Sequence, residues 1–162
     1  MEAAGYRVVA DYHTHTRFSH GRGTVLENVA AAKARGLKVV AISDHGPANL
    51  FGIGVPSLAA FDEIRKEVNA ARAKYPDMEV LLGVEANVVD VDGTLDIPES
   101  ELGRFDVVLA GLHPFVRWKR PLAGWSLVAR SAAAGWIGVG ERSARRLNTQ
   151  ALVNAVRRFQ IT

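Results

Sequence analysis

The chain contains no cysteine. That absence excludes a disulfide scaffold, thiolate zinc sites, iron–sulfur clusters and a cysteine nucleophile. No window approaches 18 uninterrupted apolar residues, so no membrane-spanning helix is expected. The first residues, MEAAGYRVVADYH, lack the basic start and apolar run of a secretory leader, and a cytoplasmic location is expected. Aromatic residues make up 7% of the chain and are not interleaved with basic ones, as single-strand stacking surfaces require. What remains is an ordinary globular composition: 162 residues, 48% hydrophobic and 23% charged. That length fits one domain over residues 1–162, able to bury about 70% of its unfolded surface without a staple.

The net charge of +3 is unevenly spread. Residues 1–116 carry 11 basic and 16 acidic groups, whereas residues 117–162 carry 9 basic and 1 acidic. A basic block of this kind serves either as a solvated helix face or as a surface for an anionic partner.

Short runs rich in Val, Ile and Leu alternate with helical periods. Arg7–Asp11, Lys38–Ser43, Met78–Val84 and Phe105–Gly111 read as buried strands, the pattern of a parallel sheet covered on both faces. Thr24–Arg35 reads as a helix with a Thr24-x-x-Glu27 capping box and Gly36 as its stop. A second helix is expected from Ser57 to Lys74. A further one runs from Asn148 to Phe159, with Asn148 as cap and Leu152, Val156 and Phe159 on one side. Leu122–Ala134 reads as helical and Gly135–Arg146 as loop. The strands recur every ~33 residues, and a full barrel takes about 250 residues, so four to five βα units are present. The expected class is α/β, a partial (βα) barrel.

All five histidines fall at predicted strand ends: His13, His15 and His20 after the first strand, His45 after the second and His113 after the fourth. Glu85 ends the third. The carboxyl ends of parallel strands share one face, where such folds build their sites. A single strand-end histidine is usually structural, but five at one rim are hard to explain that way. His-x-His on a strand points both imidazoles to one side and chelates one ion, with Glu85 able to bridge to a second. Neutral imidazole with carboxylate suits Zn, Mn or Fe(II) better than Mg.

His13-Thr14-His15-Thr16, Phe18-Ser19-His20-Gly21, Ser43-Asp44-His45-Gly46-Pro47, Gly83-Val84-Glu85-Ala86-Asn87 and Ala110-Gly111-Leu112-His113 resemble, in order, successive motifs of the PHP (polymerase and histidinol phosphatase) superfamily. Asp92-Gly93-Thr94-Leu95-Asp96 resembles a loop of its single-domain phosphatase branch. The resemblance implies a distorted seven-stranded βα barrel with two or three Zn ions, or Mn or Fe, hydrolysing a small phosphomonoester through metal-activated water. It implies His13 and His15 on one metal, Glu85 bridging to a second held by His113, and His20 and His45 on a third. His13, His15, Glu85 and His113 would be the catalytic set. Asp44 and Asp11 would support the ligands from behind. Arg22 and Arg117 are the foremost candidates for the substrate phosphate, ahead of Arg17, Lys119 and Arg120.

Members of the family continue with a His-Pro-Gly and an Asp-x-His motif, for which this sequence has no counterpart. Three ligands expected from the resemblance are therefore missing, and weak or absent phosphatase activity is expected of the 162 residues alone. A degenerate or truncated domain with a metal-binding or structural role is the main alternative, and a DNA-processing module a further one. The amidohydrolase barrel shares His-x-His but calls for neither the Asp-His nor the Glu. No nucleic-acid partner is expected. Self-association is, because a partial barrel leaves open sheet edges.

Overall fold

The computed structural model describes residues 7–120, 141–159 and 161. Four strands, β1 (Ala10–Thr14), β2 (Val39–Ile42), β3 (Glu79–Asn87) and β4 (Val107–Gly111), form one parallel sheet in the order β1-β2-β3-β4. Sequential order with helical crossovers is the topology of a curled partial (βα) barrel. The strands fall on the apolar runs, with shifted ends. β1 starts at Ala10 rather than Arg7 and runs on to Thr14, so His13 lies within it rather than after it, and β4 starts at Val107 rather than Phe105. β3 runs past Glu85 to Asn87, since its pairing with β4 continues from Gly83↔Val107 to Asn87↔Gly111.

Helix α1 (Val25–Ala34) starts at Thr24, and the expected capping box forms: Thr24 Oγ1 accepts from the Glu27 amide, and Glu27 accepts from the Thr24 amide. Helix α2 (Ala60–Lys74) starts three residues after Ser57, which instead accepts a turn hydrogen bond from the Ala60 amide. Phe61, Ile64 and Val68 of α2 meet Val25 and Val29 of α1 and the outer residues Val80, Leu82 and Val84 of β3. All are at most 2% exposed, and burying each such side chain contributes about 1.5–3 kcal/mol. One turn, α3 (Glu99–Leu102), precedes β4.

The last helix, α4 (Glu141–Arg158), is longer than expected. It takes in residues 141–146, although Gly135–Arg146 reads as loop, and Asn148 lies inside it rather than capping it. Its buried stripe is Ala151, Ala155 and Phe159, at i, i+4 and i+8, whereas Val156 is 58% exposed. Small residues allow close approach: Asn154 Nδ2 donates to the Val91 carbonyl, and the Ala155 backbone abuts Gly93. α4 thereby packs on the loop after β3. The helix expected over Leu122–Ala134 lies outside the described residues. No described helix is long and apolar enough to cross a membrane.

Candidate metal centre

Alternation along β3 turns Leu81, Gly83, Glu85 and Asn87 to the face opposite its helix-packed residues, with the last two at the carboxyl end. Glu85 is 7% exposed. Its Oε2 accepts from His13 Nε2 at 2.9 Å and lies 3.1 Å from His45 Nδ1 and 3.4 Å from His15 Nε2. Its Oε1 lies 3.2 Å from His113 Nε2. His20 completes the group through ring contacts, at centroid distances of 4.5 Å to His15 and 4.9 Å to His45. All six residues singled out as ligands thus converge.

Local structure explains how each arrives. Between Asp11 and Thr14, β1 carries one residue more than the facing stretch of β2. Such a bulge bends a strand and re-aims its side chains. The His13 and His15 rings end 4.9 Å apart, facing β3. Asp44, fully buried, receives the Thr16 amide at 2.7 Å, the Thr16 hydroxyl at 2.6 Å and the Ser19 hydroxyl at 2.5 Å. It therefore holds the loop that carries His15 and His20 and contacts neither ring. Asp11 accepts from the His13 amide at 3.0 Å, a backbone rather than an imidazole contact. Gly111 leaves the room His113 needs, since a β-carbon there would overlap His113 Cε1 and sit 2.9 Å from Glu85 Oε1.

The electrostatics suit cation binding. Burial works to raise the Glu85 pKa, but the ring contacts of His113 and His13 and the neighbouring His45 outweigh it and bring it to about 2. Burial lowers His45 to about 4, with Glu85 opposing and His15, His113 and His20 assisting. His15 is lowered too, by burial first and by His20 next. At neutral pH Glu85 is ionised, and His15 and His45 are neutral imidazoles with a lone pair available. His15 Nδ1 and His45 Nδ1 are buried without a hydrogen-bond partner, the latter because its approach to Glu85 is off-line. Buried polar atoms are rarely left so. Three sets have ligand atoms within 4.8 Å of one another: His13, His15 and Glu85; His45, Glu85 and His113; and His15, His20 and His45. The donor set fits divalent cations of the Zn, Mn or Fe type.

Arg22, in the loop after β1, and Arg117, in the segment after β4, are exposed. Arg17 pairs instead with Glu67, and Arg120 binds Asp90 through two hydrogen bonds, so both are engaged elsewhere. The sequence reading missed the roles of Asn87 and Asp96. Asn87 Oδ1 lies 2.7 Å from His113 Nδ1, and Asn87 Nδ2 donates to Asp96 Oδ2 at 2.7 Å. The spacing Glu85-x-Asn87 on a strand carried that signal, because period two puts both on one face.

A family model described as the PHP domain matches residues 11–149. A probable phosphatase of Caldanaerobacter subterraneus subsp. tengcongensis is 39% identical over 108 residues, covering 66% of this chain and 40% of the relative. A probable phosphatase of Acetivibrio thermocellus is 42% identical over 108 residues, covering 66% and 42%. One of Caldicellulosiruptor saccharolyticus is 40% identical over 102 residues, covering 62% and 40%. In each pair the matched stretch spans well under half of the relative.

Proposed function

The chain belongs to the PHP domain family, and from that premise we propose that its rim binds divalent metal ions and hydrolyses a small phosphomonoester. The observation that carries this reading is the Glu85 carboxylate surrounded by His13, His15, His45 and His113 within 3.4 Å. The printed names of the relatives, probable phosphatases, support the same reaction class.

In this reading the ions are Zn, Mn or Fe. His13 and His15 with Glu85 would hold one, Glu85 with His113 a second, and His20 with His45 a third. Bound there, a divalent cation lowers the pKa of a water toward neutrality and offsets charge on the phosphoryl oxygens. The remaining work belongs to the side chains. Glu85 stays ionised and holds the imidazoles in register. His15 and His45 stay neutral and present lone pairs. Asp44 fixes the loop bearing His15 and His20. Arg22 and Arg117 reach the phosphate dianion from the exposed side, as charge-assisted donors.

The test is release of phosphate from p-nitrophenyl phosphate by the metal-free chain, with and without added MnCl2 or ZnCl2. Slow hydrolysis is expected that needs metal, stops with EDTA, and falls to background in Glu85→Gln. Absence of any chelator-sensitive release with either metal would overturn the reading.

A further inference from the structure

Asp96 lies in the loop after β3 and is not among the metal-facing groups, yet it touches the segments that carry two of them, Glu85 and His45. Its Oδ1 accepts from the Asn87 amide at 2.7 Å, and its Oδ2 accepts from the Ala48 amide at 2.9 Å and from Asn87 Nδ2 at 2.7 Å. Gly46, next to His45, gives it entry: a β-carbon at 46 would overlap the Asp96 carboxylate. Burial pushes the Asp96 pKa up, but its hydrogen-bond partners, the Asn87 and Ala48 amides and Asn87 Nδ2, all donate to it, and these favour the ionised form.

This arrangement fixes which way Asn87 points. An amide nitrogen must face Asp96 Oδ2, and Asn87 Nδ2 also lies 3.4 Å from the Gly46 carbonyl. A flip would set oxygen against two acceptors. Asn87 Oδ1 is therefore the atom 2.7 Å from His113 Nδ1, and an amide oxygen only accepts. The proton of a neutral His113 must sit on Nδ1, which leaves the Nε2 lone pair 3.2 Å from Glu85 Oε1. Both atoms would then be free to hold a divalent cation.

We propose that Asp96 and Asn87 are positioning residues that hold His113 as its Nδ1–H tautomer, so that Nε2 is the metal-binding atom. The proposal deepens the metal reading and rests on it for its consequence, but the tautomer itself is measurable without metal. The partner behind a ligating imidazole commonly sets its tautomer and basicity, and losing that partner costs about 10–100-fold in metal affinity. Here the partner is an amide that is itself held by a buried carboxylate.

The experiment is long-range 1H–15N spectroscopy of the histidine rings in the metal-free chain at alkaline pH, with Zn2+ titration calorimetry alongside. In the wild type, Nδ1 is expected to carry the proton. In Asn87→Leu, the only remaining ring bond is Nε2–H to Glu85, so the proton is expected on Nε2 and Zn2+ affinity is expected to fall about 10–100-fold. The swapped pair Asn87→Asp with Asp96→Asn puts the carboxylate beside His113 and is expected to restore Nδ1–H and most of the affinity. A wild-type His113 protonated on Nε2 would overturn the proposal, even if no variant folds. So would an Asn87→Leu protein with unchanged tautomer and affinity. A wild type with the Nδ1–H tautomer that binds no Zn2+ would sink the metal reading and leave the relay standing.

Discussion

His113 Nε2 lies 3.2 Å from Glu85 Oε1, the only imidazole on that oxygen, while three others crowd Oε2. The approach depends on Gly111, whose missing side chain is the space the His113 ring occupies. Gly111→Ala should push the ring away from Glu85. Forcing a methyl into packed surroundings costs typically 1–3 kcal/mol, and metal affinity should drop at least about tenfold. Thermal melting with Mn2+ titration checks both. Unchanged affinity would show that His113 does not need its position.

Acid should destabilise the metal-free chain, and the sign follows from the two shifted groups. His45 is lowered from 6.5 to about 4, so the unfolded chain takes its proton first. Its share of stability is whole above pH 6.5 and lost as pH falls toward 4. Glu85 is lowered from 4.5 to about 2, and its share is present above pH 4.5 and lost below. Both act in one direction. The urea midpoint of metal-free protein should decline steadily from pH 7 to 4, and a flat midpoint would contradict the burial of His45.

Much of the site could be read before the fold. Strand ends marked by apolar runs placed five histidines and Glu85 on one rim, because parallel topology leaves little choice. The capping box at Thr24 is local chemistry and formed as read. What escaped was set by contacts distant in sequence. Asp44 reads as a partner for an imidazole, yet the Thr16 amide and two hydroxyls claim its oxygens. Asp96 reaches Ala48 across 48 residues. α4 exceeded its expected length because its buried face uses Ala151 and Ala155, which carry little apolar signal.

The capping box offers a control. Thr24→Ala removes the acceptor for the Glu27 amide and should cost about 1 kcal/mol of stability. α1 lies outside the ligand set, so Mn2+ affinity should stay at the wild-type value. A large change in affinity would mean that the rim is sensitive to any loss of stability.

Association is expected along β1, which among the described residues pairs with β2 alone. Val8, Val9 and Tyr12 beside that edge are 70%, 50% and 47% exposed. Exposed apolar edges pair readily, and a charge placed on them prevents it. Light scattering over a concentration series should show mass rising above that of one chain, and Val9→Lys should suppress the rise. A monomer at every concentration would refute this.

Calorimetric titration of the metal-free chain with MnCl2 and ZnCl2, wild type beside Glu85→Gln, bears most directly on the role given to Glu85. Gln keeps the shape and removes the charge that four imidazoles surround. Saturable binding of at least one ion per chain is predicted for the wild type, with affinity reduced at least about 100-fold in the variant, at or beyond the upper end of what losing a supporting contact costs. Equal binding by both proteins, or none by the wild type, would contradict it.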